Sequence, residues 1–451
     1  MFRRNLETWL LEWKQRVHRK PLVIRGARQV GKTSVAKQFG RAQFEGYIEL
    51  NLEKNEHFQL FEIDSLTQLL QHIELVTNQR VIPGKTLLFI DEIQRSAKAI
   101  QSLRYFYEEL PELHVIAAGS LLEVKIEKEG FSFPVGRVEF AYLFPATFSE
   151  FLLAMGKSAL CHFLDTYHPS SAITDTLHQQ LTELYTTYMA IGGMPEVVWQ
   201  YSQTQSILDL SPIYDSLYTS YLEDCHKYNS QAKAKYVHHV LDHLAGYAGG
   251  LVTYEKFGES RYKAREISEA FSILETAMLL KRIWATSSVL QPLDLGSRKP
   301  PKVVFLHIGL VNYRLGIQRH YRESAPIDVI YKGQMAEQMV GQTLLALFGI
   351  KSATIGYWYR EKRGSNAEVD FIFSYQGRIL PLEVKSGSTG TLKSLHQFME
   401  VSPSSLAIRL YAGKPQIQSV MLPSGNKSYT LISLPFYLTH QLLRILGLLL
   451  E

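Results

Sequence analysis

The run Gly26-Ala27-Arg28-Gln29-Val30-Gly31-Lys32-Thr33 fits G-x-x-x-x-G-K-[ST], the spacing of a loop that wraps phosphate. Gly26 and Gly31 free the backbone to turn, so that successive N–H groups can face an anion. Lys32 supplies a mobile charge for the β- and γ-phosphates, and the Thr33 hydroxyl is a Mg²⁺ ligand candidate. Ser34, at the head of the following helical stretch, joins these residues as a nucleotide contact. Downstream, the apolar run Thr86–Ile90 closes on Asp91-Glu92. Asp91 is placed to hold Mg²⁺ through water, and Glu92 to orient the attacking water. An acidic strand exit is the plain alternative. Ser120, after the run His114–Gly119, either reads the γ-phosphate or caps a helix. Arg137 is a candidate to stabilise γ-phosphate charge, in cis or across a subunit interface, with a surface salt bridge as the alternative.

A second constellation lies near the C-terminal end. Glu337 opens a helical stretch, Glu368 and Asp370 share one face of an alternating run, and Glu383 and Lys385 share one face of the next run. With Gln376-Gly377-Arg378 as the turn, a hairpin aligning Asp370 with Glu383 would bring two carboxylates to one Mg²⁺. Glu337 would add a third carboxylate, and Lys385 would activate water or stabilise developing charge. An amphipathic hairpin with a cross-strand salt bridge is the structural alternative.

The elements that must position these groups follow from hydrophobic period. Residues 21–24, 47–52, 86–92 and 114–120 read as buried strands of a parallel sheet, whose carboxyl ends gather ligand-binding groups. A first helix is expected over about residues 5–18. From 175 to 225 the pattern is helical, and Tyr185, Tyr188, Tyr214, Tyr218 and Tyr221 recur near helical spacing, which favours core packing over a nucleic-acid platform. Residues 233–290 offer helices and then a strand at 279–284, a succession that suits a winged helix, with Arg261, Lys263 and Arg265 available to phosphate. Residues 293–302 read as an exposed linker. The expected boundaries are 1–170, 171–320 and 321–451.

The chain has 451 residues, a net charge of +5 and 46% hydrophobic residues, the balance of a soluble globular protein of several domains. Basic residues crowd positions 1–37, where ten Lys and Arg face only Glu7 and Glu12. Such a cluster serves nucleotide or nucleic-acid phosphate, or is simply a solvated face. Cys161 and Cys225 are too few for a disulfide framework or zinc site, which fits a cytoplasmic chain. The opening segment is charged throughout and is not read as a signal peptide, and no run reaches the ~20 apolar residues that span a bilayer. The apolar tail 442–450 reads as a docked helix.

Taken in order, these motifs, with Gly136-Arg137, Gly192-Gly193-Met194-Pro195-Glu196 and Glu383-Val384-Lys385, resemble a prokaryotic family of ATP-binding proteins. Its members join an AAA-type ATPase domain to a C-terminal domain of unknown function (DUF4143) with a restriction-endonuclease-like core. The resemblance implies an α/β fold: a P-loop AAA-like domain with a parallel sheet, a helical and winged-helix middle, and a C-terminal domain similar to PD-(D/E)xK nucleases. It implies ATP and Mg²⁺ as cofactors. The function expected is ATP hydrolysis that regulates a nuclease-like, nucleic-acid-binding domain, with DNA or RNA and further copies of the chain as candidate partners. The competing expectation is an ATP-driven switch for protein assembly whose nuclease-like domain is inactive. Where the family tends to carry Asp-x-Gly-Leu, this chain reads His307-Ile308-Gly309-Leu310.

Overall fold

Strand β1 (Leu22–Arg25) is apolar and buried, and it is the centre around which the N-terminal unit assembles. The structure, a computed structural model, describes residues 2–119, 133–228, 230–296, 299–318, 333–352, 355–360, 366–387 and 391–450. One compact unit comprises Phe2–Phe144 with Thr276–Met278, and the other comprises Pro145–Glu275 and Leu279–Glu451.

In the first unit, β1 lies between β4 (His114–Ala118) and β5 (Glu139–Tyr142), and β2 (Gly46–Asn51) and β3 (Thr86–Asp91) extend the sheet. The order is β2-β3-β4-β1-β5 and every pairing is parallel. β3 and β4 are buried at every position, as strands covered on both faces must be. The covering helix Ala97–Glu109 shows how the sequence sets the packing. Ser96 accepts a hydrogen bond from the Ala99 N–H at its N-terminus, and Ala99, Ile100, Leu103 and Phe106 form its buried stripe. That stripe joins Ile48, Leu88, Ile90 and Val115 in one core. The register puts the ends of β1 and β3 on the same sheet edge, so residues 26–33 and 91–92 become neighbours.

The second unit begins with helices at Phe148–Ala154, Ser158–Thr166, Asp175–Ile191, Pro195–Thr204 and Ser211–Tyr228. Tyr185, Tyr188, Tyr214 and Tyr221 are buried among them, and the Tyr214 hydroxyl donates to the Ile191 carbonyl (2.8 Å). The tyrosine stripe is core. Helices Gln231–His243 and Ala264–Thr276 follow, then β6 (Leu280–Thr286) and β7 (Lys302–Phe305), which pair antiparallel.

These two strands do not close a separate middle domain. β6 pairs in parallel with β8 (Ile355–Arg360), and β9 (Ala367–Tyr375), β10 (Arg378–Val384), β11 (Leu406–Tyr411), β12 (Gln416–Met421) and β13 (Ser428–Pro435) complete the sheet. The eight-stranded order is β12-β13-β11-β10-β9-β8-β6-β7. One sheet therefore runs across the expected boundary at 320, because β6 and β7 find their pairing partner beyond it. The boundary at 170 likewise falls inside a unit that starts at Pro145. The helix Leu442–Leu450 buries Leu442, Ile445 and Leu446, as expected of a docked tail. Among the described residues no helix is long and apolar enough to cross a membrane.

Candidate functional site

At the end of β1 the loop turns sharply. Gln29 takes a positive φ of 64° and Gly31 one of 95°, the left-handed conformation glycine adopts freely. Gly26 has no room for a side chain, since a Cβ there would lie 2.4 Å from the Leu143 carbonyl oxygen. Lys32 opens the helix Lys32–Gln43, and its buried ammonium donates to the carbonyls of Gly26 (3.0 Å) and Ala27 (2.8 Å). The loop's own carbonyls thus hold the charge over the curve it encloses. Arg4 braces the loop from the N-terminal segment. Its guanidinium donates to the Val30 carbonyl (2.9 Å) and to that of Phe144 (2.7 Å).

The Thr33 hydroxyl donates to Asp91 Oδ2 at 2.8 Å, so the two expected Mg²⁺ ligands are adjacent. Burial raises the Asp91 carboxyl to about 6, opposed by the Thr33 hydrogen bond. A hydroxyl beside a buried carboxylate is the hard-oxygen donor set Mg²⁺ takes, so the residues fit this ion. Glu92 sits next to it with φ 53°, and its carboxylate accepts from the Gln94 amide. Sequence reasoning missed Gln94. It is 2% exposed, its Oε1 has no partner among the described residues, and a Cβ on Gly119 would lie 2.2 Å from that oxygen. Gln94 therefore links the acidic end of β3 to the end of β4. Ser120 lies outside the described residues.

Arg137 is not brought to this site. β1 pairs with β5 so that Leu22 faces Glu139, which puts Arg137 at the opposite end of the sheet from Gly26. The separation along the strands is roughly 20 Å at 3.3 Å per residue. There Arg137 donates to Glu108 (2.9 Å) and, ahead of Arg104, holds that carboxyl below its ordinary range. A role for Arg137 in cis at its own γ-phosphate is excluded by this reach.

The second constellation assembles on β7, β9, β10 and the helix Gly333–Ser352. Gln338 docks this helix: its Oε1 accepts from the Phe305 N–H (2.8 Å) and its Nε2 donates to the Phe305 carbonyl (2.6 Å). Gly341 lets the helix come close, since a Cβ would meet Val304 at 2.6 Å. Glu337 is thereby delivered to the sheet. The hairpin turns at Gln376 and Gly377, both with positive φ, and pairs Phe371 with Leu382. The pairing ends at that step; Asp370 and Glu383 lie just beyond it, near enough for the Asp370 charge to act on Glu383, and β9 shifts register against β8 at this point. Asp370 Oδ2 accepts from the Val384 N–H (2.7 Å), and Lys385 donates to Glu383 Oε1 (2.6 Å).

What sequence did not show is Lys302, expected in an exposed linker. It lies in β7, is 2% exposed, and its ammonium reaches Glu337 at 2.5 Å, Glu368 at 3.4 Å and Asp370 Oδ1 at 3.9 Å. Burial opposes its charge, but Asp370, Glu337 and Glu368 outweigh burial and raise its pKa. Burial, and then the Asp370 charge, push the carboxyls of Glu337 and Glu383 up. Among the described residues no group of three or more acidic, histidine or cysteine side chains is arranged to hold a metal. The expected set Glu337, Asp370 and Glu383 does not assemble as a metal cage: Glu337 and Asp370 gather with Glu368 around the Lys302 ammonium, and Glu383 pairs with Lys385.

His307, where the resembled family tends to carry Asp, is buried and caps the helix Ile308–Arg314 by accepting from the Leu310 N–H (3.1 Å). Here the histidine does the capping work of an aspartate, so no acid is available at this position.

No curated protein gives a significant match. Among solved structures the chain is similar to PCH-2 of C. elegans at 11% identity and a TM-score of 0.27, covering 46% of this chain and 64% of that one. It is similar to the ORC1 protein of Aeropyrum pernix in complex with DNA at 12% identity and 0.26, covering 70% and 92%. It is also similar to the RuvB Holliday junction branch migration motor of Thermotoga maritima at 14% and 0.28, covering 62% and 90%. Residues 182–321 match the model of one domain of unknown function (DUF8612), and residues 332–430 that of another (DUF4143). Residues 18–152 match the model of an AAA domain, so this chain carries an AAA-type P-loop ATPase domain followed by a C-terminal DUF4143 domain.

Proposed function

We propose that this chain is a Mg²⁺-dependent ATPase acting as a nucleotide-driven switch, with a nuclease-like C-terminal domain that binds a partner without cleaving it. The observation that carries the ATPase reading is the convergence of Lys32, Thr33, Asp91 and Glu92 at one sheet edge. There Lys32 would hold the β/γ-phosphates, Thr33 and Asp91 the Mg²⁺, and Glu92 the attacking water. When bound, Mg²⁺ would neutralise charge developing on the γ-phosphate. Gln94 fixes the Glu92 carboxylate against the end of β3 and thereby orients it. Arg137, directed away from its own loop, suits a role at a neighbouring copy's nucleotide, which requires an oligomer.

The non-cleaving half of the reading is supported by the ammonium of Lys302 at the centre of the acidic cluster. The expected DNA contact is weakly supported. The helices and antiparallel strands at 231–305 have a winged-helix order, but Glu266, Glu269 and Glu275 lie on the helix Ala264–Thr276. Glu269 and Glu275 are paired with Lys233, Lys281 and Arg282, which leaves that helix little net charge to offer phosphate. A second reading keeps the regulated nuclease, favoured by the Lys385 ammonium on Glu383 and by the nearness of Asp370 to Glu383. The test is ATP turnover with and without single- and double-stranded DNA and RNA, with cleavage scored in Mg²⁺ and Mn²⁺. Turnover without cleavage supports the switch. Cleavage abolished by Asp370→Asn would establish the regulated nuclease, and a pure, folded chain with no turnover under any of these conditions would refute the ATPase.

A further inference from the structure

A nuclease-like fold implies a divalent cation beside Asp370 and Glu383, and the side chains here do not fit one. The cation the cluster holds is part of the chain. Lys302 runs from β7 beneath the aromatic faces of Tyr357 and Phe371, whose ring centroids lie 5.7 and 5.3 Å from its ammonium. It ends among Glu337, Glu368 and Asp370, and also donates to the Asp370 main-chain carbonyl (3.3 Å). An ammonium this deeply buried persists only because carboxylates surround it, and carboxylates this close persist only because it is there. Among the described residues, Glu383 and its partner Lys385 also face the cluster.

We infer that Lys302 is the resident cation of this cluster, and that its ammonium and a divalent ion are mutually exclusive occupants. This deepens the non-cleaving reading above by giving its physical cause. Two like charges cannot share three carboxylates at these distances without strong repulsion. With the ammonium gone, the half-buried Glu337 and Asp370 would be left with an uncompensated charge that a divalent ion could satisfy. Glu383 Oε2, buried and without a hydrogen-bond partner among the described residues, would be a further oxygen donor. The fold would then hold a latent metal site, blocked by one side chain that reaches it from an edge strand.

The experiment is Mn²⁺ binding to the nucleotide-free full chain, followed by the paramagnetic resonance of free Mn²⁺. Four proteins are compared: wild type, Asp370→Asn, Lys302→Met and Lys302→Met/Asp370→Asn. Methionine is chosen because its unbranched stem can keep the contact with Tyr357 and Phe371. Wild type and Asp370→Asn should bind identically. Lys302→Met should gain a site about a hundredfold tighter than anything wild type shows at this position, as loss of a unit charge at such range allows. The double variant should lose it, and Mn²⁺ should raise the thermal stability of Lys302→Met alone. A Mn²⁺ site in wild type that Asp370→Asn abolishes overturns the inference. So does a folded Lys302→Met that gains nothing. If Lys302→Met does not fold, the wild-type against Asp370→Asn comparison still decides. Cleavage that survives chelation of metals would sink the non-cleaving reading while leaving Lys302 as the resident cation.

Discussion

Acid should unfold the C-terminal unit partly through one side chain, His307. Burial lowers its pKa from 6.5 to about 3, and the ring nitrogens face the main-chain N–H groups of Leu310 and Met194 at 3.1 Å; the neutral ring has one acceptor, which serves Leu310, and a second ring proton would add another donor facing a donor. Among the described residues no carboxylate acts on the ring. Gly192 packs so tightly that a Cβ would sit 2.4 Å from Nε2, which leaves no space for water. The native ring must therefore stay neutral while the unfolded ring protonates below 6.5. With the folded pKa depressed, the unfolded state binds more protons as pH falls, so stability is present above 6.5 and is lost on acidification towards 3. At 1.36 kcal/mol per unit, the loss from this group is about 2 kcal/mol at pH 5 and about 3 kcal/mol at pH 4. His307→Asn isolates it. Asparagine can still cap the helix through its carbonyl oxygen, and the volume lost beside Gly192 has a cost that does not vary with pH. Urea unfolding of both full chains at pH 7.5, 6 and 5 gives the comparison, and titrations common to both cancel in the difference. The stability gap in favour of wild type should shrink by about 2 kcal/mol between pH 7.5 and 5. Parallel pH profiles would show that the native ring can protonate in place, and the reasoning would fail.

Other outcomes follow from the nucleotide loop and its braces. Lys32→Ala should weaken nucleotide binding sharply, whereas Glu92→Gln should bind normally and hydrolyse ATP orders of magnitude more slowly; equal turnover by Glu92→Gln and wild type would remove the water-orienting role. Gln94→Ala should lower kcat by roughly tenfold to a hundredfold with KM little changed, since it positions Glu92 and leaves the loop alone; a rise in KM alone would make it a loop residue. Arg137→Ala should reduce turnover without altering nucleotide affinity, and wild-type turnover per chain should rise with concentration. Constant turnover across dilution in a monomeric protein would end the in-trans role. Arg4→Ala removes a buried guanidinium that ties Val30 to Phe144, and calorimetric titration should show ATP affinity down by about tenfold.

The site proposed for nucleotide was legible in the sequence because its signals are local. A loop from Gly26 to Thr33 is one continuous segment, and its glycines and lysine are needed whatever surrounds them. Asp91 and Glu92 could be placed because a buried parallel strand is a continuous apolar run, and such strands present their ends together. The hairpin itself was legible for a related reason: two apolar-rich strands joined by a two-residue turn pair Arg378 with Tyr375 and onward to Leu382 with Phe371, which brings Asp370 and Glu383 near each other. Other features needed the tertiary structure. Arg137 follows Gly136 in sequence like a site residue, yet strand direction alone carries it to the far end of the sheet. Gln94 looks like any polar residue after a strand until the Gly119 backbone closes over it. Lys302 sits among prolines and polar residues that read as linker, and nothing local marks it as buried. Its burial comes from β6 pairing with β8, some seventy residues further along the chain, which brings one lysine under three carboxylates. Sequence spacing pointed to Glu337 and Asp370 meeting, with Glu383 as the third acid, where the structure brings Glu368. Only long-range strand pairing decided that the cation meeting them belongs to the chain itself.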